Sequence, residues 1–395
     1  PVGDPPTHIE WTWARDELIY AGTGLHPANA VTLEEVGWLR ERRLVRVTFY
    51  PLRFDPVAGT LDATNRVRVK LDFAGAVEHA ATASRWDQDD PFLPVIQNAV
   101  INPAQVTRFV RTERPTPVPE PSLGADPQGQ SLALPPANTE YLIITHSDFA
   151  SAVAPLGTHR ATVDGLIVFT AHVEDIYAAY GELEHEEAIK QYISAAYHQD
   201  SPPNLDYVLL VGDGVVDTPS RSLGLAANQN FIPPYLMVDP WGDEAASDNR
   251  FVTVDESDNL ADVFIGRLPV NTEAEATAVV EKILSYETDP PQWPWNQRVL
   301  FFAGNEGDRP TEKYHKFSDE VYDDHLREPF TGRRVYFCTS NTSDCSQPHL
   351  YTSITTAHDA TMTALNGGGL LASYIGHSSI HQWAVDPVTV APMFH

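Results

Sequence analysis

Two kinds of apolar pattern divide this chain. In residues 44–56, "LVRVTFYPLRFDP", and 66–75, "RVRVKLDFAG", apolar and polar side chains alternate. Such alternation predicts half-buried antiparallel strands, and the intervening "DPVAGTLDATN" predicts a connecting turn. From Glu140 onward the pattern changes to short continuous apolar runs: "EYLIITH", "GLIVFTA", "DYVLLVGDG", "DVFIGR", "RVLFFAGNEG", "RVYFC" and "GLLASYIGH". Helix-like stretches separate several of them, namely "EHEEAIKQYISAAYH", "TEAEATAVVEKILSYE" and "DEVYDDHLREPF". Continuous runs alternating with amphipathic helices predict an α/β class, with a mostly parallel sheet covered by helices on both faces. The acidic starts at Glu182–Glu187 and Thr272–Glu275 suit the positive end of a helix.

These patterns predict three regions: a small β-rich module over 1–76, a Pro-rich linker over 77–137, and an α/β domain over 138–395. The linker expectation rests on "RTERPTPVPEPSLGADPQGQSLALPPAN", which sustains neither a helix nor a strand ladder and is expected to run extended. No internal repeat is visible.

Charge narrows the partners. With 26 basic and 54 acidic residues the net charge is −28. Such a surface repels phosphate backbones, which argues against nucleic acid and accommodates peptide-like or basic substrates. No apolar run reaches the roughly 18 residues of a membrane span. The opening "PVGDPPTHIEW" lacks a signal peptide's basic start and apolar core, and with no initiator Met a segment is expected to have been removed before it. The two cysteines, in "CTSNTSDC", would form a small loop disulfide in an extracytoplasmic protein; no further ligands stand near enough in sequence for a zinc site. The acidic stretch Asp239–Asp262 offers hard oxygen ligands for a structural calcium ion or is a solvated loop, and its spacing departs from an EF-hand. "HEEAI" at His185–Ile189 lacks the second histidine of a metalloprotease helix.

In open α/β sheets, chemistry collects at the carboxyl ends of strands. Three runs deliver titratable residues there: Asp213, Glu306 and His377. An imidazole beside a carboxylate is the beginning of a nucleophilic constellation. The plainer reading makes His377 a strand-closing or metal-binding residue, Glu306 a capping acid and Asp213 a turn former.

Taken in order, "DYVLLVGDGVVDTP", "DVFIGRLPV", "FFAGNEG" and "NGGGLLASYIGHSSIHQW" resemble the gingipain family of cysteine peptidases, from about Glu140 to Trp383. The upstream "LVRVTFYPLRFDPVAGTLDATNRVRVKLDF" is similar to the β-rich propeptide preceding many members. The resemblance implies a caspase-like fold and a cysteine endopeptidase, in zymogen or processed form, acting on peptide or protein. It makes His377 the catalytic histidine, Glu306 the acid that orients it, and Asp319 an acid of the S1 pocket favouring a basic P1 residue. Trp383 would help wall the site. Ser378 stands where the family usually has Gly and would keep an oxyanion-binding backbone N–H. The family's nucleophile is a cysteine after the next core strand downstream of the histidine. Cys338 and Cys345 precede His377, so the thiol is expected beyond residue 395, on a C-terminal fragment or in further chain. No cofactor is implied, and the resemblance places the protein outside a bacterial cell or on its surface. A transpeptidase of the same family, or an inactive peptide-binding scaffold, remains open beside the peptidase.

Overall fold

The computed structural model describes residues 16–40, 42–71, 77–78, 90–106, 109–110, 134–181, 183–199, 203–215, 230–238, 244–254, 258–304, 314–338, 345–379, 382–385 and 392–394. Two units follow one another, Pro1–Leu284 and Ser285–His395.

The first unit begins with helix α1 (Glu17–Ala21), whose cap Asp16 accepts hydrogen bonds from the backbone N–H groups of Leu18 and Ile19. Strands β1 (Val31–Leu39) and β2 (Arg42–Phe49) pair antiparallel, and β3 (Leu52–Asp55) and β4 (Thr60–Ala63) form a hairpin. The predicted strand at 44–56 therefore breaks at Tyr50–Pro51 into β2 and β3. The one expected over 66–75 is not a strand where it is described: residues 66–71 are irregular and exposed. The partner of β2 is instead β1, whose alternation is broken by a register shift between Glu35 and Gly37. A bulge of this kind shifts the period by one residue and hides a strand from a period-2 reading.

The linker expectation also needs correction. Strands β5 (Val77–Glu78) and β6 (Phe109–Val110) pair antiparallel. Between them lies helix α2 (Leu93–Ala99), and Phe92, Ile96 and Val106 are buried in one cluster. Phe92 stacks on Phe264 with ring centroids 4.0 Å apart. Apolar residues four apart on one helical face outweigh the surrounding prolines here. The Pro-rich stretch 111–133 lies outside the described residues.

Arg40, in the turn between β1 and β2, joins this N-terminal segment to the sheet that follows. It is fully buried and has φ +54°, a conformation costing about 1–2 kcal/mol in a non-glycine residue. Its guanidinium donates to Asp206 Oδ1 at 2.8 Å, to the carbonyl of Asp262 at 2.8 Å and to that of Leu205 at 3.0 Å, and lies 4.4 Å over the Phe92 ring. Arg42 adds a 2.6 Å bond to buried Asp90.

The sheet of the first unit contains β7 (Tyr141–Thr145), β8 (Val168–His172), β9 (Tyr207–Val211) and β12 (Phe264–Leu268), with the short antiparallel pair β10 (Leu236–Val238) and β11 (Glu244–Ala246) between the last two. All four run parallel in the order β12-β9-β7-β8. Alternate residues feed opposite faces. Leu142, Ile144, Val208 and Leu210 pack on helices α4 (Val173–Ala179) and α5 (His185–His198). Ile143, Leu209 and Val211 pack on α3 (Ala150–Thr162) and α6 (Glu273–Thr288). At the start of α6 the Glu275 N–H donates to Thr272 Oγ1, and the Glu275 carboxylate accepts from the Asn271 N–H, a variant of the capping box.

The second unit repeats this construction with β13 (Arg298–Ala303), β14 (Thr331–Phe337), β15 (Leu350–Tyr351) and β16 (Leu371–Ile375) in the parallel order β15-β14-β13-β16. Helix α7 (Tyr314–His325) covers Val299, Phe301 and Tyr336, and α8 (Ile354–Asn366) covers Leu300, Phe302 and Val335. The expected class is present, with two parallel sheets instead of one. After β16 come β17 (Ser378–Ser379), β18 (Gln382–Val385) and β19 (Pro392–Phe394), which pair antiparallel. Cys338 and Cys345 form a disulfide with Cα atoms 5.9 Å apart, closing the loop after β14.

Candidate active site

In the second sheet the chain moves from β13 through β14 to β15 on one side, then returns to place β16 on the other side of β13. The carboxyl ends of β13 and β16 therefore flank the point where strand order reverses, the usual place for a site in such sheets. Gly304, just after β13, donates its N–H to the carbonyl of Ile375, the last residue of β16, at 2.9 Å. His377 follows two residues later with its side chain exposed.

The turn carrying His377 is held from below. The Tyr374 hydroxyl donates to the His377 carbonyl at 2.6 Å and accepts from the Ala384 N–H at 3.0 Å. The Ala384 N–H also reaches the His377 carbonyl at 3.2 Å. Burial pushes the Tyr374 phenol up to about 12, partly offset by the bond from Ala384. Its ring stacks on Trp383 at 4.6 Å and 8°, and Trp383 touches Phe302 and Phe394. Two glycines make room for that hydroxyl. A Cβ on Gly376 (φ +156°) would lie 2.5 Å from it, and one on Gly304 would lie 2.8 Å from it.

The His377 ring has a partner of its own. Tyr314, the first residue of α7, places its hydroxyl 3.0 Å from His377 Nε2, with the rings edge to face at 87°. Neither Tyr314 nor Tyr374 was singled out by sequence. Tyr374 lies inside an apolar strand, where the pattern reads it as core, and Tyr314 is 63 residues from its partner, outside every quoted motif.

The other expected site residues lie as follows. Glu306 is outside the described residues; of the described residues flanking it, Gly304 binds Ile375 and Tyr314 binds His377. Ser378 is exposed and pairs across the β17–β18 hairpin with Trp383. Trp383 is half-buried beneath the His377 turn. Asp319 lies on α7 with its carboxylate occupied: Arg334 is at 2.8 Å, the Tyr336 hydroxyl at 3.2 Å and His349 Nε2 at 3.9 Å. Burial pushes His349 down, and neighbouring Arg334 adds to the effect. Both cysteines are consumed by their mutual disulfide.

The first sheet presents a different picture at its carboxyl ends. Asp213 accepts from the Gly214 N–H and the Asn271 amide. Arg267 forms a two-point pair with Asp248 and donates to the carbonyls of Gly212 and Ile232. Asp213, Gly214, Asp248 and Arg267, with Pro234 and Ala246, line a cavity of about 270 Å³. Beside β7 and β8, Ser147 donates through N–H and hydroxyl to Glu174, whose carboxylate also lies 3.2 Å from His146 Nε2. In the acidic stretch, Asp258 accepts from the Trp38 and Leu260 N–H groups, and Asp262 accepts from that of Val254. Among the described residues no group of three or more His, Cys, Asp or Glu side chains is arranged to hold a metal ion, and no helix is long and apolar enough to cross a membrane.

Comparison with known proteins gives a consistent assignment. The sequence pattern of peptidase family C25 matches residues 134–394, and that of the C25 propeptide matches residues 6–90. A Lys-gingipain of Porphyromonas gingivalis is 22% identical over 402 aligned positions, covering 98% of this chain and 19% of the relative. The chain thus spans under a quarter of that protein's length. Among solved structures, the complex of the pro- and mature domains of RgpB from Porphyromonas gingivalis aligns with a TM-score of 0.46 at 19% identity, over 65% of this chain and 50% of that one. The Arg-specific cysteine proteinase gingipain R aligns with a TM-score of 0.45 at 20% identity, over 62% and 49% of the two chains.

Proposed function

The chain belongs to peptidase family C25, and from that premise we propose that it supplies the base of a cysteine endopeptidase, with His377 as the group that takes and returns the proton. The observation that carries this reading is the placement of His377. It stands exposed where strand order reverses, on a turn braced by Tyr374. In the reaction, a thiolate attacks the scissile carbonyl and His377 passes its proton to the leaving amine. Glu306 orients the imidazole, and the Ser378 N–H contributes to oxyanion binding. Trp383 supports the wall by holding Tyr374.

Cys338 and Cys345 are bonded to each other, which argues against either as the attacking thiol and supports one supplied by a further segment or fragment. A basic P1 side chain reaching Asp319 would have to displace Arg334 from it. The N-terminal module acts as a propeptide. Its buried anchor, Arg40, engages residues just before β9 and β12, at the amino ends of those strands, so any inhibition comes from elsewhere in the module or from the Pro-rich stretch. A disulfide fits a secreted or cell-surface protein.

The test uses the complete gene product and reporter peptides with Arg, Lys or Asp at P1. His377→Ala is expected to lower kcat/KM by on the order of 10³-fold or more; wild-type activity in that variant overturns the reading. The disulfide-bonded cysteines favour one second reading, a peptide-binding scaffold that does not cut. Labelling of the complete protein by a thiol-directed peptide inhibitor would eliminate it. Formation of a ligated product with an added amine would instead identify a transpeptidase using the same residues.

A further inference from the structure

We propose that the Tyr314 hydroxyl is an autoinhibitory latch on His377: it occupies one edge of the imidazole in the resting protein and lets go when the ring enters the reaction. This rests on the reading of His377 as the base with Glu306 as its orienting acid. An imidazole has two ring nitrogens, and each makes one in-plane hydrogen bond. The mechanism assigns both, one to the carboxylate and one to the thiol. The Tyr314 hydroxyl, 3.0 Å from Nε2, is a third claimant. If it donates to Nε2, the lone pair that must take the thiol's proton is occupied. If it accepts from Nε2–H, Nδ1 alone is left for the acid and the thiol. In either polarity the ring cannot serve both reaction partners until this bond breaks.

The two sides of the contact differ in freedom. Tyr314 sits at the start of α7, next to buried His315, and its ring packs on the cluster of Val299, Phe301 and Tyr336, so the hydroxyl is held in place. The His377 carbonyl is held by the Tyr374 hydroxyl and the Ala384 N–H, while its side chain is exposed. The turn therefore stays put and the imidazole is the moving part, rotating about its side-chain bonds away from Tyr314. The latch is a single exposed hydrogen bond, so it slows the site without closing it. A bond of this kind shifts the balance between held and released rings by about 3- to 10-fold, and the rate falls with the released fraction.

The test uses the complete protein and Tyr314→Phe, which removes the hydroxyl and keeps the packed ring. Without substrate, inactivation by iodoacetamide reports how readily the imidazole takes the thiol's proton; Cys338 and Cys345 are bonded and do not compete. Its rate is expected to rise about 3- to 10-fold in the variant, and kcat/KM on reporter peptides by a similar factor. In a crystal structure of the wild type trapped by a peptidyl chloromethane, the Tyr314 hydroxyl is expected beyond hydrogen-bond reach of Nε2. Unchanged or slower rates of both reactions in a folded Tyr314→Phe protein, or a trapped complex that keeps the 3.0 Å contact, overturn the proposal. Full activity in His377→Ala would instead overturn the reading on which it rests, so the two failures are distinguishable.

Discussion

The two parallel sheets use the same construction to opposite ends. In the first unit, the polar groups at the strands' carboxyl ends are consumed by one another: Arg267 by Asp248 and two carbonyls, Glu174 by Ser147 and His146. In the second unit, the corresponding position presents an exposed imidazole whose supports act mainly on its backbone. The difference lies in where the hydrogen bonds go. A network that satisfies its own donors and acceptors rigidifies a loop. A side chain braced through its carbonyl, with its ring toward solvent, keeps chemistry available. Fold class therefore says little about which sheet carries a site, and the polar bookkeeping at the strand ends says a great deal.

Three perturbations separate the units further. The largest effect is expected from Arg40→Met. It leaves Asp206 buried without its guanidinium, and breaking such a pair costs about 3–5 kcal/mol. Hydrogen exchange should quicken in β9 and β12 and stay unchanged in β13 and β16; equal loosening of both sheets would show that the units do not respond separately. Reduction of Cys338–Cys345 should act on the second unit alone. Releasing a loop this short removes about 2–3 kcal/mol by the chain-entropy account, read as faster exchange in β14 and β15 on adding reductant. An unaffected second unit would remove the disulfide from its stability.

The smallest effect is expected from Glu174→Gln. Burial pushes the Glu174 carboxyl up, but the two bonds from Ser147 and the neighbouring His146 outweigh it, and the net shift is downward. A carboxyl lowered in the folded state contributes stability above its unfolded titration range and loses it as pH falls through its folded range. Wild type and variant should therefore differ most near neutrality and converge in acid. A constant difference across pH would show that ionisation of Glu174 contributes nothing.

Much of this was legible from residue pattern. The runs at "EYLIITH" and "DYVLLVGDG" are strands β7 and β9, because five-residue apolar stretches buried on both faces leave no other economical packing; "GLLASYIGH" is the edge strand β16, exposed at its start. The stretches "EHEEAIKQYISAAYH" and "TEAEATAVVEKILSYE" are α5 and α6. The family was legible in four motifs, and His377 stood out by ending a strand after glycine. The pattern misled where pairing geometry overrides periodicity. The bulge in β1 concealed a strand, the alternation at 66–71 did not become a strand, and Phe92 and Ile96 packed where prolines suggested a linker.

What the sequence determined by itself was local: which segments are strands or helices, which residue types end them, and which family they belong to. Tertiary structure alone decided the long-range choices. Two sheets formed instead of one, Asp319 was given to Arg334, and Tyr314 was brought from 63 residues away onto the His377 ring. The physical reason is that burial and periodicity are written along the chain, one residue at a time. A hydrogen bond between distant side chains depends on how crossover connections order the strands, and no local pattern records that order.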